Sequence, residues 1–371
     1  MASTAPGSGP GITPARAVSA WPSYLVSLIV LLAAVYAFSP RPMPPFPATE
    51  VRPDGLQINA LLKADGKLLA AGEQGRILIA DSEKGPWTEA KVEPQRGSAL
   101  TQMAAVGAKT LIAVGHDGWI LRSENGGQSW QEASFDSESS DPLLGIAGPY
   151  AGKLYAFGAF GKLLVSSDDG KTWRQQPLVE NASAASATAG NAAEEDPYAD
   201  PFANISTGGG IADGHINAMT RAADGALVMV GERGMIARST DEGASWTAVP
   251  QVYTGSFYGL LALPPKGLLA YGMRGNVFRS EDSGKTWVKV ETPLALSLFG
   301  ATSTLRREII LVGENAVVMV SKDGGKSFKL GSLGEQQRLA AALPLDSGDL
   351  LTAGELGLAL RNPYRGTGAQ P

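Results

Sequence analysis

Five short segments repeat a carboxyl or amide side chain, a glycine and an aromatic residue at fixed spacing. Their shared form is Ser-x-Asp-x-Gly-x-Ser/Thr-Trp, and we call them the polar turns. They read SENGGQSW at 123–130, SSDDGKTW at 166–173, STDEGASW at 239–246, SEDSGKTW at 280–287 and SKDGGKSF at 321–328. Aspartates at such positions could act in acid–base catalysis or bind calcium, because carboxylates serve both kinds of chemistry.

The same pattern also suits a turn that stabilises the backbone. An Asp or Asn oxygen accepts backbone N–H groups within a turn, glycine supplies a positive φ angle, and the aromatic residue packs on a neighbouring strand. Because the residue types recur from unit to unit, we predict a structural role for them. They are Asn125, Asp168, Asp241, Asp282 and Asp323, with the aromatic residues Trp130, Trp173, Trp246 and Trp287.

The remaining composition offers little for metal or cofactor chemistry. The chain of 371 residues has no cysteine, which excludes disulfides, thiolate metal sites and a thiol nucleophile. Its two histidines, His116 and His215, are far apart in sequence and lack clustered acids, so we predict no metal and no cofactor. The net charge of −5 is spread along the chain, and we predict no nucleic-acid partner.

A repeated framework must position the polar turns, and glycines define it. A Gly-x-x-Gly tetrapeptide follows an apolar run at 72–75, 115–118, 158–161, 231–234, 272–275 and 354–357, and GENA at 313–316 is a seventh copy. We call these tetrapeptides the glycine turns. Apart from one long gap they recur about every 42 residues, which is the length of a four-stranded propeller blade.

Each unit contains short apolar runs bounded by Gly and Asp, which indicates strands. We therefore predict an all-β fold, a seven-bladed β-propeller over residues 48–361, followed by a C-terminal tail at 362–371. The last unit has three runs and no polar turn. We predict that the segment around 48–52 supplies its fourth strand and closes the ring.

The polar turn resembles the Asp box, also called the bacterial neuraminidase repeat. Seven such units with glycine turns resemble the photosystem II stability and assembly factor family over residues 50–361. That resemblance implies a non-enzymatic scaffold on the lumenal or periplasmic side of a membrane. It implies a membrane-protein complex as partner, whose assembly, stability or operation the propeller aids, as an assembly factor or as an accessory subunit of a transporter.

Sialidases also carry Asp boxes, which suggests an alternative. A sialidase-like propeller would bind or hydrolyse envelope glycans with an arginine triad, a Tyr–Glu pair and two suitably separated carboxylates. The sequence has no Phe/Tyr-Arg-Ile-Pro motif, and Arg122, Arg238 and Arg279 lie beside polar turns in repeated settings. We therefore predict that the chain is not an enzyme and keep glycan binding or hydrolysis as the alternative.

Function in repeat proteins is expected where the units differ. An acidic loop at 180–214 is inserted between the third and fourth units, and the middle residues of the glycine turns vary. In a four-stranded blade these turns share a face with the links between blades, opposite the polar turns. We predict a partner-binding face there. Its residues are His116, Asp117, Phe160, Glu232, Arg233 and Arg274, with Tyr198 and Phe202 from the insertion.

The N-terminal region predicts attachment to a membrane. Residues 17–38 contain no charge, and a spanning helix needs about 20 apolar residues. We predict a cytoplasmic tail at 1–16, a signal anchor at 17–38 and a proline-rich spacer at 39–47. The chain would cross the inner (cytoplasmic) membrane once, with the propeller on the periplasmic or lumenal side. Cleavage after Ala37 is the alternative, because Val35 and Ala37 are small enough for a signal-peptidase site.

Overall fold

The structure is a computed structural model that describes residues 20–39, 50–181, 210–334 and 337–364. The chain divides into two compact units, Met1–Pro47 and Ala48–Pro371. The first unit contains one helix, α1 (Trp21–Phe38), which has a proline in its first turn and no charged residue. By length and composition this helix can cross a membrane, and a signal sequence near the N-terminus has the same properties.

The second unit is a seven-bladed β-propeller built from seven sheets, which are antiparallel apart from one parallel pair at the outer edge of blade 2. Blade 1 contains β1 (Ile58–Ala64), β2 (Lys67–Gly72), β3 (Ile77–Ala80) and β4 (Thr88–Glu89). Blade 2 contains β5 (Lys91–Glu93), β6 (Leu100–Ala105), β7 (Leu111–Gly115), β8 (Ile120–Ser123) and β9 (Ser129–Ser134). Blade 3 contains β10 (Leu143–Tyr150), β11 (Lys153–Gly158), β12 (Leu163–Ser166) and β13 (Arg174–Gln175).

In blade 2 the inner strand is β6 and β5 is outermost, whereas in the other blades the chain runs from the inner to the outer strand. Blades 4 to 7 contain β14 (Ile216–Arg221), β15 (Leu227–Gly231), β16 (Ile236–Ser239) and β17 (Thr247–Ala248); β18 (Phe257–Leu263), β19 (Gly267–Gly272), β20 (Val277–Ser280) and β21 (Val288–Val290); β22 (Leu298–Ser303), β23 (Ile309–Gly313), β24 (Val318–Ser321) and β25 (Lys329–Ser332); β26 (Leu339–Pro344), β27 (Leu350–Gly354) and β28 (Gly357–Arg361).

The core lies between neighbouring blades. The second strand of each blade is buried along nearly its whole length, because it is packed on both faces; this explains apolar runs such as LIAVG in β7 and IILVG in β23. The inner strand of every blade contacts the inner strand of the next, and β26 contacts β1. The ring is therefore closed around a central channel.

The prediction that segment 48–52 supplies the fourth strand of blade 7 is wrong for the described residues of that segment. Glu50 forms an antiparallel bridge with Thr88 of blade 1, and the Val51 N–H donates to the Trp87 carbonyl at 2.8 Å. Within the described residues, the sheet of blade 7 has three strands. Val51 packs against a hydrophobic cluster shared by blades 1 and 7, so burial places this segment between the two blades.

Candidate functional site

The glycine turns lie where the inner strands begin. In every blade the residue after the first glycine donates its N–H to the carbonyl of the residue just before the inner strand. The N–H of Glu73 reaches Gln57 and that of Glu314 reaches Ser297, both at 2.9 Å. Because successive strands run in opposite directions, the five polar turns lie at the other edge of blades 2 to 6. We call the first edge the glycine-turn face.

In six of the glycine turns, the third of the four residues has a positive φ angle. Few residue types other than glycine, asparagine and aspartate adopt such an angle. The six residues are Gln74, Asp117, Phe160, Arg233, Arg274 and Asn315. Phe160 has a φ of 50° and is 67% exposed. A bulky apolar side chain held in this conformation and facing solvent is a feature of binding sites.

Phe160 and Glu232 come together through a histidine. The ring of His215 meets Phe160 edge-on, with 5.0 Å between the ring centroids, and His215 Nδ1 lies 3.1 Å from Glu232 Oε1. This cluster joins blade 3 to blade 4. Arg233 and Arg274 lie on the turns of blades 4 and 5.

Two further predicted face residues, His116 and Asp117, lie in the glycine turn of blade 2, which contacts the inner strand of blade 3. Asp117 accepts a hydrogen bond from the Ser98 hydroxyl at 2.5 Å, and His116 lines the mouth of the central channel. The described face residues therefore lie on the glycine turns of blades 2 to 5.

The two ends of the insertion are fixed to the propeller. The Asn181 N–H donates to the Trp246 carbonyl at 2.8 Å, and the Glu180 carboxylate accepts the N–H of Ile211 at 3.1 Å. The Gly161 N–H donates to the Gly214 carbonyl at 2.9 Å. The second end therefore touches the glycine turn of blade 3. Tyr198 and Phe202 lie outside the described residues.

Glutamates recur at the second position of the glycine turns for a structural reason that the sequence did not reveal. The carboxylates of three of them accept the N–H of the residue before the inner strand of the same blade. The bonds are Glu232 to His215 at 3.4 Å, Glu314 to Ser297 at 3.2 Å and Glu355 to Arg338 at 3.0 Å. These glutamates close the start of the blade, in addition to any contact that they make with a partner.

In the polar turns, the described bonds of the aspartates lie within the turn. Asp168 Oδ1 accepts the N–H groups of Lys171 and Thr172 and the hydroxyl of Ser166, and its Oδ2 accepts the hydroxyl of Thr172. Asp241, Asp282 and Asp323 repeat this geometry. A carboxylate bonded in this way has little capacity left for a substrate or a metal ion.

These bonds lower the pKa values of the aspartates. The side-chain bond from Ser245 and further turn bonds lower the pKa of Asp241 to about 2. Burial acts to raise the pKa values of Asp282 and Asp323, but the turn bonds outweigh it and both values are about 2. Hydrogen bonds to the charged form explain the direction.

Aromatic residues and arginines beside the polar turns hold the blades together. Trp130 and Trp246 are fully buried, Trp287 is 7% exposed, and Trp173 is partly buried. Three arginines each donate Nε to a main-chain carbonyl in the polar turn of the following blade. They are Arg122 to Asp169 at 2.8 Å, Arg238 to Ser283 at 3.0 Å and Arg279 to Gly324 at 2.9 Å.

A ring of residues at the mouth of the channel escaped the sequence-based prediction. Each inner strand has a register shift around its second residue, and a β-bulge of this kind redirects a side chain. The seven residues line the channel, and we call them the mouth ring. They are Asn59, Thr101, Leu144, Asn217, Tyr258, Phe299 and Ala340.

The mouth ring is polar on one side and aromatic on the other. Asn59, Thr101 and Asn217 each donate to a main-chain carbonyl at the start of the next inner strand, at 2.7–2.8 Å. Tyr258 and Phe299 instead pack on each other, with ring centroids 5.3 Å apart and planes inclined by 31°. The channel encloses about 600 Å³, and its described lining contains no Asp, Glu, Lys or Arg.

Metal chemistry has no evident ligand set in the described ranges. No three His, Asp or Glu side chains within them are grouped in a way that could hold a metal ion. His116 and His215 lie in different blades, and the described partner of His215 is a single carboxylate. The arrangement instead offers a broad, uneven surface around an uncharged channel.

Solved structures with this architecture include proteins of different kinds. One is YCF48 bound to D1 peptide, at 15% identity and a TM-score of 0.60, covering 87% of this chain and 99% of that chain. The chain shares its propeller fold. YCF48 from Cyanidioschyzon merolae matches at 13% identity and a TM-score of 0.60, covering 84% of this chain and 97% of that chain. A streptogramin B lyase matches at 14% identity and a TM-score of 0.60, covering 85% of this chain and 96% of that chain.

At these identities the likeness concerns the fold alone. No protein-family model matches the sequence. A comparison with curated proteins gives no match either.

Proposed function

We propose that the chain is a non-enzymatic, membrane-anchored scaffold whose glycine-turn face binds a membrane-protein complex and aids its assembly, stability or operation. The observation that carries this proposal is the cluster of Phe160, His215 and Glu232. An aromatic side chain that is 67% exposed and held at positive φ stands beside a contact between a histidine and a glutamate. Aromatic residues rimmed by polar groups are typical anchors of protein interfaces.

Two likenesses support a polypeptide partner. The repeat resembles that of the photosystem II stability and assembly factor family. YCF48, which has the same fold, has been solved bound to D1 peptide. We infer that the glycine-turn face of this propeller receives an exposed segment of a membrane protein.

The apolar helix supports a location at the membrane. α1 is long and apolar enough to cross a bilayer, and it precedes the propeller in the chain. We propose that it anchors the protein in the inner membrane and that the propeller faces the periplasm or lumen.

The alternative, a glycan-acting propeller, finds less support. Hydrolysis of a glycosidic bond needs a pair of carboxylates beside the substrate. The described lining of the channel contains no carboxylate, and the aspartates of the polar turns are bonded within their turns. The glutamates of three glycine turns at its mouth are engaged with main-chain N–H groups of their own blades. The likeness to streptogramin B lyase concerns the fold alone.

Site-specific photocrosslinking in membranes tests the proposal. The photoreactive residue p-benzoylphenylalanine replaces Phe160 in one sample and Lys171 in a control. Lys171 is exposed in the polar turn of the same blade, so the control differs in the face that it samples. We expect a crosslink to a membrane protein from position 160 and none from position 171.

Crosslinks from position 171 alone would contradict the face assignment. Crosslinks from neither position would overturn the scaffold proposal. Crosslinks only to glycan would favour the glycan-acting alternative.

A further inference from the structure

The aromatic side of the mouth ring is not used to join blades by hydrogen bonds. Tyr258 and Phe299 are both half-buried and stack on each other at the mouth. Within the described residues the Tyr258 hydroxyl makes no hydrogen bond, whereas the polar members of the ring bond to the next blade. This pair therefore presents π faces and a free hydroxyl to whatever occupies the mouth.

Two carboxylates stand beside the pair. The glycine turn that contains Glu232 contacts β18, the strand of Tyr258. Glu314 Oε2 accepts the N–H of Ser297, which precedes Phe299 by two residues. Burial raises the pKa of Tyr258, and the negative charges of Glu232 and Glu314 raise it further. The turn contact of Glu232 and the bond from Ser297 to Glu314 thus place both glutamates beside the inner strands that carry Tyr258 and Phe299.

Two carboxylates and one cation act on Tyr258, while Arg233 and Arg274 lie on the glycine turns of blades 4 and 5. In the described ranges Glu314 forms no ion pair, and Glu232 pairs only with His215. Arg338, the cation that acts on Tyr258, is already paired with Glu355 at 2.7 Å. The channel beneath contributes no charged side chain from its described lining.

Aromatic faces attract cations through their quadrupole, and neighbouring carboxylates add a Coulombic attraction. A primary ammonium or a guanidinium also donates hydrogen bonds, which suits the free hydroxyl and the carboxylate oxygens. The uncharged channel would not retain a charged group, so the cation would lie across the mouth.

We propose that Tyr258 and Phe299, with Glu232 and Glu314, bind a lysine or arginine side chain of the partner polypeptide. The proposal rests on the proposed function, because it names the side chain that the glycine-turn face recognises in its partner. It places the main specificity contact at the channel mouth, between blades 4 and 6.

Fluorine NMR on the full chain in uncharged detergent tests this site directly. With 4-fluorophenylalanine in place of Phe299, the protein is titrated with N-acetyl-lysine methylamide. The norleucine analogue has a similar stem without the charge, and the glutamate analogue reverses the charge. We expect a saturable shift with the lysine probe, about threefold or more tighter than with norleucine, and no saturation with glutamate.

Glu314→Gln provides the matched variant. Glutamine keeps an acceptor for the Ser297 N–H, so the turn should remain folded while the charge is lost. We expect this change to weaken lysine binding at least about twofold. The control is Glu73→Gln, in the glycine turn of blade 1, which should leave lysine binding unchanged.

Equal binding of the lysine and norleucine probes would overturn the site, as would a lysine response that does not saturate. An unchanged lysine affinity in Glu314→Gln would have the same effect. The two proposals fail separately, because photocrosslinking from position 160 reports partner contact whether or not the lysine probe binds.

Discussion

At the scale of single residues, the carboxylates of the polar turns are bonded within their own turns. Asp282 accepts the N–H groups of Lys285 and Thr286 and the hydroxyls of Ser280 and Thr286. Asn125 occupies the same position in blade 2 and makes the equivalent bonds, with its Nδ2 donating to the Ser129 hydroxyl at 2.8 Å. The turn therefore needs an oxygen acceptor at this position more than it needs a negative charge.

Substitution of Asp282 tests this interpretation. Asp282→Ala removes the acceptor and should lower the free energy of unfolding by about 1 kcal/mol or more. Asp282→Asn should retain most of the stability, because Asn125 supports its own turn. Urea denaturation of the three proteins measures the difference. Equal loss in both variants would show that charge, and not the acceptor, stabilises the turn.

The same aspartates predict sensitivity to acid. The pKa values of Asp241, Asp282 and Asp323 are about 2 in the folded protein, and that of an unfolded aspartate is about 3.9. A lowered folded pKa contributes stability above the unfolded value, and this contribution is lost as the pH falls towards the folded value. We therefore expect the melting temperature to fall between about pH 5 and pH 2. A melting temperature that stays constant over that pH range would contradict this expectation.

At the scale of elements, the blades are joined by side chains that reach the next repeat. Arg238 in β16 donates to the Ser283 carbonyl of blade 5 and pairs with Asp224 at 2.7 Å. The guanidinium group has several N–H donors in one plane, so it can bond to a carbonyl of the next blade and to a carboxylate at the same time. Blade 5 is thus stabilised by its own sheet, by apolar packing and by the hydrogen bond from Arg238 of blade 4.

Arg238→Met should therefore destabilise the ring. Methionine keeps an apolar stem but loses the donors, and we expect the free energy of unfolding to fall by about 1–2 kcal/mol. Arg174→Met is the control, because Arg174 is exposed on β13. Thermal denaturation followed by circular dichroism compares the two. A control variant as unstable as Arg238→Met would show that the loss is not specific to the contact between blades.

The elements also show what could be predicted from sequence. The glycine turns revealed the blades because a positive φ angle limits the residue types locally. The mouth ring was missed because its bulges depend on register, such as Phe257 pairing with Gly272 and Gly259 with Tyr271. The pairing of Glu50 with Thr88 was also missed, because it joins segments that packing alone brings together.

At the scale of the whole molecule, the chain combines a closed propeller with a helix that can cross a membrane. If the helix is retained, the protein should sediment with membranes and resist extraction by high salt, because salt screens charges and leaves apolar burial intact. Immunoblotting of membrane and soluble fractions measures this. A soluble form whose N-terminus is Phe38 would establish a cleaved signal peptide instead.

The contacts between blades also bear on how such a ring evolves. Arg122, Arg238 and Arg279 reach main-chain oxygens of the following blade, as do three polar members of the mouth ring. A main-chain carbonyl is present whatever residue a mutation introduces, so the receiving blade can diverge without losing these bonds. Duplicated blades would therefore remain compatible with their neighbours from the start. Selection could then change the glycine turns one at a time while the ring stayed closed.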